Sequence, residues 1–319
     1  MKINLKALFT KFPDKLNLIK KKHLGDFPSD EENYLIQKLK RKAGKYQKEL
    51  IETNSKWQNN MSCLYDHLIN DDVRSFLRWD IITGTMFVPN APYVKTEFSF
   101  LKNLTLWDDR WSNAILESKV GNPIPFKPYP KTSSNLIHHA YHLAQYEEKT
   151  NSRINDNDFI FEFGGGYGSM CRLFYNLDFK GRYILFDLPI FAALQEYYLK
   201  MLSLEVNLGS FDKDKKNGIF CISNFDHLSD IIGYCLANKE TKSLFVATWS
   251  LSETPLKLRK SILPLISNFD NILISYQNYF DNIDNCNYFN SFKSHFKDMS
   301  WCNFEIDHLP GNYYLIGKS

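Results

Sequence analysis

An open, doubly wound α/β sheet is the fold this sequence predicts, and three features predict it. From Asp158 onward, short apolar runs alternate with stretches of helical period; the first run breaks into a cluster of glycines; and the chain closes on two runs split by Pro310-Gly311-Asn312. Apolar runs separated by helices imply parallel strands joined by crossovers, whereas runs separated by a tight turn imply an antiparallel pair.

The elements follow in order. Ser29-Asp30-Glu31-Glu32 fits an S-x-x-E capping box ahead of a Lys-rich, proline-free stretch through Glu52, which predicts a long helix. Shorter helical patterns cover residues 61–69 and 73–79. Between residues 83 and 130, two glycines and six prolines punctuate an aromatic-rich stretch expected to be irregular or short-stranded. Ser133 or Ser134 then offers an N-cap for a helix to about Lys149, with Leu136, Ala140 and Leu143 on one face. Strands are expected at residues 159–163, 182–186, 219–222, 244–248 and 272–276, with helices at 190–201 and 256–267 among them. Residues 304–309 and 313–317 complete seven strands as a C-terminal antiparallel hairpin. The chain therefore divides into a mainly helical N-terminal cap and substrate region, 1–130, and a sheet domain, 131–319.

Composition removes several classes of protein. With 44% apolar and 24% charged residues, and only 14 Gly and 12 Pro in 319, the chain is neither disordered nor fibrous. No apolar run reaches the roughly 18 residues of a spanning helix. The six cysteines show no C-x-x-C pair and read as buried thiols of a reducing, cytoplasmic setting. Residues 1–50 carry 13 Lys/Arg against 6 Asp/Glu, so they hold +7 of a chain whose net charge is +3. A solvated helical face accounts for this most simply; weak contact with an anionic membrane surface is the functional alternative.

The chemistry is expected at Glu162-Phe163-Gly164-Gly165-Gly166-Tyr167-Gly168, where the first strand should turn into a helix. Open α/β sheets bind ligands at such points, and glycines let the ligand approach the backbone. Asp187 closes the second strand, where a carboxylate can accept hydrogen bonds from ribose hydroxyls. A dinucleotide fingerprint would place Gly164, Gly166 and then Ser169, which breaks its third position and counts against an NAD(P)-dependent oxidoreductase.

The spacing E-x-G-x-G-x-G is similar to the signature of class I S-adenosylmethionine-dependent methyltransferases, whose fold is a Rossmann-like sheet ending in an antiparallel hairpin. More closely, E-F-G-G-G-Y-G, Phe186-Asp187-Leu188-Pro189, the helix with Gln195-Glu196-Tyr197-Tyr198-Leu199, Trp249-Ser250-Leu251-Ser252-Glu253, Gly121-Asn122-Pro123 and Pro310-Gly311-Asn312 resemble the sugar O-methyltransferase family of bacterial surface-glycan and antibiotic clusters. The likeness covers about residues 107–319. It implies S-adenosylmethionine as cofactor and a sugar hydroxyl, on a nucleotide sugar, glycan precursor or glycosylated metabolite, as acceptor. Cofactor contacts are expected from Glu162, Gly164, Gly165, Gly166, Tyr167, Gly168, Asp187, Leu188, Asn224, Phe225, Asp226, Thr248 and Trp249.

An alcohol is a poor nucleophile, so methyl transfer to it needs a positioned base or a metal. Glu253, just past the fourth strand, is the first candidate for a catalytic or orienting carboxylate; at a helix start it would equally complement the dipole. Ser252 would contact the acceptor or cap that helix. Of His138, His139 and His142, His139 is the candidate base and His138 a substrate contact. His138 and His142 have i, i+4 metal spacing, but no H-E-x-x-H string exists and no metal site is assigned, although a divalent ion remains compatible with the chemistry. Tyr276, Asn278 and Tyr279, at the end of the fifth strand, would present polar and aromatic groups to a sugar. Plant-type phenol O-methyltransferases share the F-D-L-P string but carry a His-Asp pair where this chain has Ser250-Leu251-Ser252, so their base does not transfer. A non-catalytic scaffold in a glycan-assembly complex is the rival from another class. A nucleic-acid methyltransferase is disfavoured because no N/D-P-P-Y/F string follows the fourth strand. A homodimer is compatible with all of this.

Overall fold

The computed structural model describes residues 27–46 and 55–319. Its strands are β1 (Phe159–Phe163), β2 (Arg182–Phe186), β3 (Val206–Leu208), β4 (Gly218–Ile222), β5 (Ser243–Thr248), β6 (Asn271–Gln277), β7 (Tyr279–Phe280), β8 (Ile283–Asp284), β9 (Ser300–Glu305) and β10 (Asn312–Lys318). Eight of them form one sheet in the order β3-β4-β2-β1-β5-β6-β10-β9, while β7 and β8 pair separately. From β3 to β6 every pairing is parallel, and β10 lies antiparallel to both β6 and β9. The seven expected strands and the terminal hairpin are present. The eighth, β3, extends the edge from within residues 203–218.

The helices are α1 (Asp30–Tyr46), α2 (Ser55–Asn70), α3 (Asp80–Thr85), α4 (Val94–Lys102), α5 (Ser112–Ala114), α6 (Ser134–Thr150), α7 (Ser169–Asn176), α8 (Pro189–Met201), α9 (Phe225–Cys235), α10 (Leu256–Ile266) and α11 (Asn285–Phe292). Because alternate strand residues face opposite sides, the sheet feeds two apolar layers. Ile160, Tyr183, Leu185 and Val246 join one with α6, α7 and α8; Phe159, Phe161, Phe163 and Phe245 join the other with α9, α10 and α11.

The N-terminal helices build outward from the first layer. Leu35, Leu39 and Ala43 of α1 are buried, and the helix docks on α8. There Lys38 and Lys42 lie 2.7 and 3.8 Å from Glu196, which Lys200 also reaches at 2.8 Å. Burial alone would raise the Glu196 carboxyl, but Lys200 and Lys38 outweigh it and hold it below its ordinary value. Within the expected solvated face, Lys38 and Lys42 are thus engaged by Glu196; residues 1–26 and 47–54 lie outside the described residues. Ser29 accepts a hydrogen bond from the Glu32 amide at 3.2 Å, as the capping box requires, but the Glu32 carboxylate turns to Arg74 at 3.0 Å.

Residues 83–130 also depart from expectation. They hold α4 and a wide helical turn, Trp107–Trp111, and their one β-contact among the described residues is an isolated bridge from Pro125 to Ser133. The prolines flank α4 rather than interrupt it, and Val94, Glu97 and Leu101 at helical spacing give it a buried face against α6. Cys171, Cys221 and Cys235 are buried, but Cys63 and Cys302 are exposed; all are free thiols. Among the described residues, no helix is long and apolar enough to cross a membrane.

Candidate active site

At the end of β1 the chain passes through the glycine turn into α7. Gly164, Gly166 and Gly168 adopt φ of +71°, +57° and +95°, a region that side-chain-bearing residues rarely occupy. A Cβ on Gly164 would run into the Cβ of Ser250, and one on Gly165 into Leu185 and the Glu162 carboxylate. Behind the turn, the buried Gln195 of α8 donates to the Gly166 carbonyl at 3.0 Å and to Asp187 at 3.3 Å.

The two acids flank this turn. Asp187 accepts from the Gly166 amide at 2.9 Å through Oδ2 and from the Leu188 amide at 2.8 Å through Oδ1. Burial pushes its pKa up to about 7, against the pull of those two amides. Glu162 is buried and accepts from the Tyr183 hydroxyl at 2.7 Å. Burial raises it to about 8, the Tyr183 hydrogen bond opposing and the nearby Asp187 adding to the rise.

A cavity of about 540 Å³ opens over the turn. Four strand ends build it, with Phe163 and Gly164 after β1, Phe186, Asp187 and Leu188 after β2, Ser223 after β4 and Ser250 after β5. Since β1 sits between β2 and β5, the crevice lies where the sheet's winding reverses, the usual ligand position in such sheets. Phe225, Thr254, Pro255 and Leu258 continue the wall, and Trp57 and Met86 of the N-terminal region close it. Of the expected cofactor residues, Gly164, Gly166, Asp187, Leu188 and Phe225 line this cavity.

Others do not. Tyr167 points into the core, where its ring meets Phe76 and Tyr198 and its hydroxyl accepts from Asn135 at 2.8 Å. Gly168 packs toward Leu199. Asn224 is the N-cap of α9, accepting from the Asp226 amide at 2.8 Å, and Asp226 is exposed; neither is part of the cavity wall, although their neighbours Ser223 and Phe225 are. Thr248 stays within β5. Trp249 turns away from the cavity, with its indole donating to Asn312 at 2.7 Å and stacking on His138.

The catalytic and substrate candidates scatter as well. Ser252 is buried; its hydroxyl lies within hydrogen-bond distance of the Trp249 carbonyl at 2.6 Å and Gln277 at 2.8 Å, and its carbonyl accepts from Arg259 at 2.5 Å. It neither contacts the cavity nor caps α10, whose N-cap is Pro255. His139 is absent from the cavity wall; burial presses its pKa down to about 3, and its Nδ1 is buried without a partner. Tyr276 is a core residue between Phe289 and Tyr313, bonded to Asn303 at 3.0 Å. Asn278 and Tyr279 belong to the β7–β8 hairpin and its approach, outside the cavity wall, with Tyr279 61% exposed. Glu253 lies beside the wall residues Thr254 and Pro255. Burial raises its pKa, while Lys56 and hydrogen bonds with Trp57 and Gln277 pull it back. Phe163 and Phe186 end β1 and β2, Ser223 follows β4 directly and Ser250 lies two residues past β5, so strand ends carry the signal for these four; Trp57 and Met86 left no signal, because the segments that bring them to the turn are distant in sequence. Among the described residues, no group of three or more His, Cys, Asp or Glu could hold a metal.

No family model matches the chain, and no curated protein matches it. Among solved structures, it is similar to PigF with SAH, at 11% identity and a TM-score of 0.35 over 91% of this chain and 96% of that one. It is also similar to human N-acetylserotonin methyltransferase in complex with SAM, at 10% identity and a TM-score of 0.34 over 75% and 69% of the two chains. A third is precorrin-6y C5,15-methyltransferase from Geobacter metallireducens, at 11% identity and a TM-score of 0.36 over 57% and 88%.

Proposed function

We propose that this chain is an S-adenosylmethionine-dependent O-methyltransferase. The observation that carries the reading is the convergence, at one crevice, of a turn without side chains and the carboxylate of Asp187 at the next strand end. Asp187 would take the ribose hydroxyls, Phe225 would wall the adenine, and the Gly164–Gly166 backbone with Glu162 behind it would receive the methionine end. Bound there, the sulfonium supplies a methyl group activated for displacement. The apolar wall from Trp57 and Met86 would exclude water, and this is the role proposed for residues 1–130 as a cap. The proposed acceptor is a small molecule bearing a sugar hydroxyl, on the strength of the motif resemblance, and the proposed location is the cytoplasm.

Calorimetric titration tests the donor site directly. S-adenosylmethionine and S-adenosylhomocysteine are expected to bind and NADH is not; a folded protein that binds neither sulfur ligand ends the reading. In Asp187→Ala, affinity should fall about 5- to 150-fold, the equivalent of roughly 1–3 kcal/mol for lost hydrogen bonds to a buried polar group.

The two raised acids also give a sign for pH. In the free protein Asp187 and Glu162 hold protons up to about 7 and about 8. A ligand that hydrogen-bonds to the ionised carboxylate binds the deprotonated form, so affinity should rise from pH 6 to pH 8 and level off above. Proton release, read by titrating in two buffers of different ionisation enthalpy, should accompany binding; affinity that falls over that interval would contradict it.

Glu253 is proposed to orient the acceptor at the cavity rim. Glu253→Gln should lower turnover while leaving S-adenosylhomocysteine affinity within about twofold; full turnover would reduce Glu253 to a link between α2 and the β5 loop.

A further inference from the structure

A second cavity, of about 630 Å³, lies in the N-terminal region and shares no wall residue with the donor crevice. Its size is that of a small-molecule site. The wall joins the 3₁₀ turn Val73–Arg78, which brings Arg74 and Arg78, to residues 117–132, which bring Lys119 and Lys131. Two carboxylates, Asp72 and Glu117, also belong to it, and both are engaged. Asp72 caps the turn by accepting from the Arg74 amide at 3.0 Å, and Glu117 pairs with the buried guanidinium of Arg172. Arg74 pairs with Glu32 at 3.0 Å. That leaves Arg78 and Lys131 as positive charge in the wall without an acidic partner among the described residues.

The string Gly121-Asn122-Pro123, which the donor reading does not use, builds the centre of this wall. Gly121 and Asn122 take φ of +78° and +55°, so the chain reverses there, and a Cβ on Gly121 would run into Phe76 and Leu77. The Gly121 carbonyl accepts from the Leu77 amide at 3.0 Å, which straps the reversal to the 3₁₀ turn. As a result the next two carbonyls hold one guanidinium: Arg78 donates to Asn122 through Nε at 2.7 Å and to Pro123 through Nη2 at 3.3 Å. Its Nη1 has no protein partner among the described residues. A guanidinium clamped in this way presents its remaining N–H groups in a fixed direction, so little freedom is lost when a ligand accepts from them. Two hydroxyls of the wall add neutral donors. Ser75 accepts from the Asn122 side chain at 3.4 Å and Ser118 from the Val120 amide at 3.3 Å, which leaves each hydroxyl proton to donate.

We propose that this cavity binds a phosphate-bearing small molecule, at a site separate from the donor crevice and independent of the donor reading. Guanidinium, ammonium and hydroxyl groups all donate, and a phosphate, which only accepts, is the oxyanion that such a set recognises. The cavity is larger than one phosphate group, so the organic part of the ligand has room beside Pro123, Pro125 and Pro130. Among the described residues, no aromatic side chain belongs to the wall. Nothing there stacks on a base, so a sugar phosphate suits the cavity better than a nucleotide. The same feature argues against single-stranded nucleic acid, which binds through aromatic platforms.

Calorimetry on the full chain at low ionic strength tests this with inorganic pyrophosphate, glucose 1-phosphate and, as the uncharged comparison, glucose. Both anions should bind once per chain and glucose should not; a folded protein that binds neither anion overturns the site. Lys131→Glu and Lys119→Glu should each lower pyrophosphate affinity about tenfold or more, the loss of a charge-assisted hydrogen bond. Lys239→Glu and Lys260→Glu make the same charge change at exposed positions outside the cavity and should stay within about twofold of wild type. Equal losses in the two pairs would show attraction to net charge alone and overturn the proposal. Acetylation by acetic anhydride, read by peptide mass spectrometry, locates the anion: pyrophosphate should slow the labelling of Lys119 and Lys131 and leave Lys239 unchanged. Protection confined to the lysines of residues 1–50 overturns the assignment. So does a short RNA oligonucleotide whose binding is lost in Lys131→Glu while wild type ignores both small anions, since the cleft would then serve nucleic acid.

Discussion

Arg172→Met is expected to cost the folded state about 3–5 kcal/mol, among the largest stability losses a single substitution can produce in this chain. Arg172 is 1% exposed, on α7 directly behind the glycine turn. Its guanidinium pairs with Glu117, donates to the Tyr198 hydroxyl at 2.9 Å and to the Leu116 carbonyl at 2.8 Å, and so joins the sheet domain to the N-terminal region. Methionine would fill much of the volume but leave Glu117 without its charge partner and take the guanidinium from the buried Tyr198 hydroxyl and the part-buried Leu116 carbonyl. The loss is therefore the penalty of an orphaned carboxylate, not the net worth of the pair. Urea unfolding should show it as a lower midpoint at unchanged slope. The paired replacement Arg172→Met with Glu117→Leu should recover a large part, because removing both charges removes the penalty. An unfolding free energy within about 1 kcal/mol of wild type in the single variant would show that water reaches Glu117 readily.

The contrast between what the sequence revealed and what it hid has a physical origin. β1 and β2 were legible to the residue, because a buried parallel strand is a continuous apolar run with a sharp polar or glycine end. The same logic placed Gly164 and Asp187 at the cavity, since strand ends are fixed by hydrogen-bond register, with Phe163 opposite Phe186 and Phe186 opposite Ile222. Side-chain direction was not legible. Tyr167, one residue past Gly166, points into the core, and Tyr276 faces the α11 layer, because the left-handed glycines and the alternation of β6 decide which side each presents. Long-range partners were hidden as well. Glu97 meets His308 across 211 positions, and nothing local in either segment announces the other. The proline-rich stretch misled because punctuation marks where helices stop, not whether they occur; α4 fits between Pro92 and Gly121.

Gly164→Ala should abolish useful donor affinity while leaving the fold intact. Two costs coincide at this position. The backbone sits at φ +71°, where a residue with a Cβ is strained by about 1–3 kcal/mol, and the new methyl would run into the Ser250 Cβ. Ser250 cannot simply withdraw, for its hydroxyl bonds the Phe163 carbonyl at the very end of β1, so the β5 loop and the glycine turn would separate together. Both segments line the cavity, and a site built from backbone is lost when its backbone moves. We expect S-adenosylhomocysteine affinity to drop about 100-fold or more, the sum of strain and displacement. The double variant Gly164→Ala with Ser250→Gly removes the collision but not the strain, so it should regain part of the affinity and stop short of wild type by roughly the strain alone. Gly233→Ala, in α9 with no atom within 4 Å of the added methyl, is the control. It should bind as wild type does and gain up to about 1 kcal/mol in helix stability. Wild-type affinity in Gly164→Ala would mean that the turn accommodates a side chain, and the donor could not then lie against its backbone.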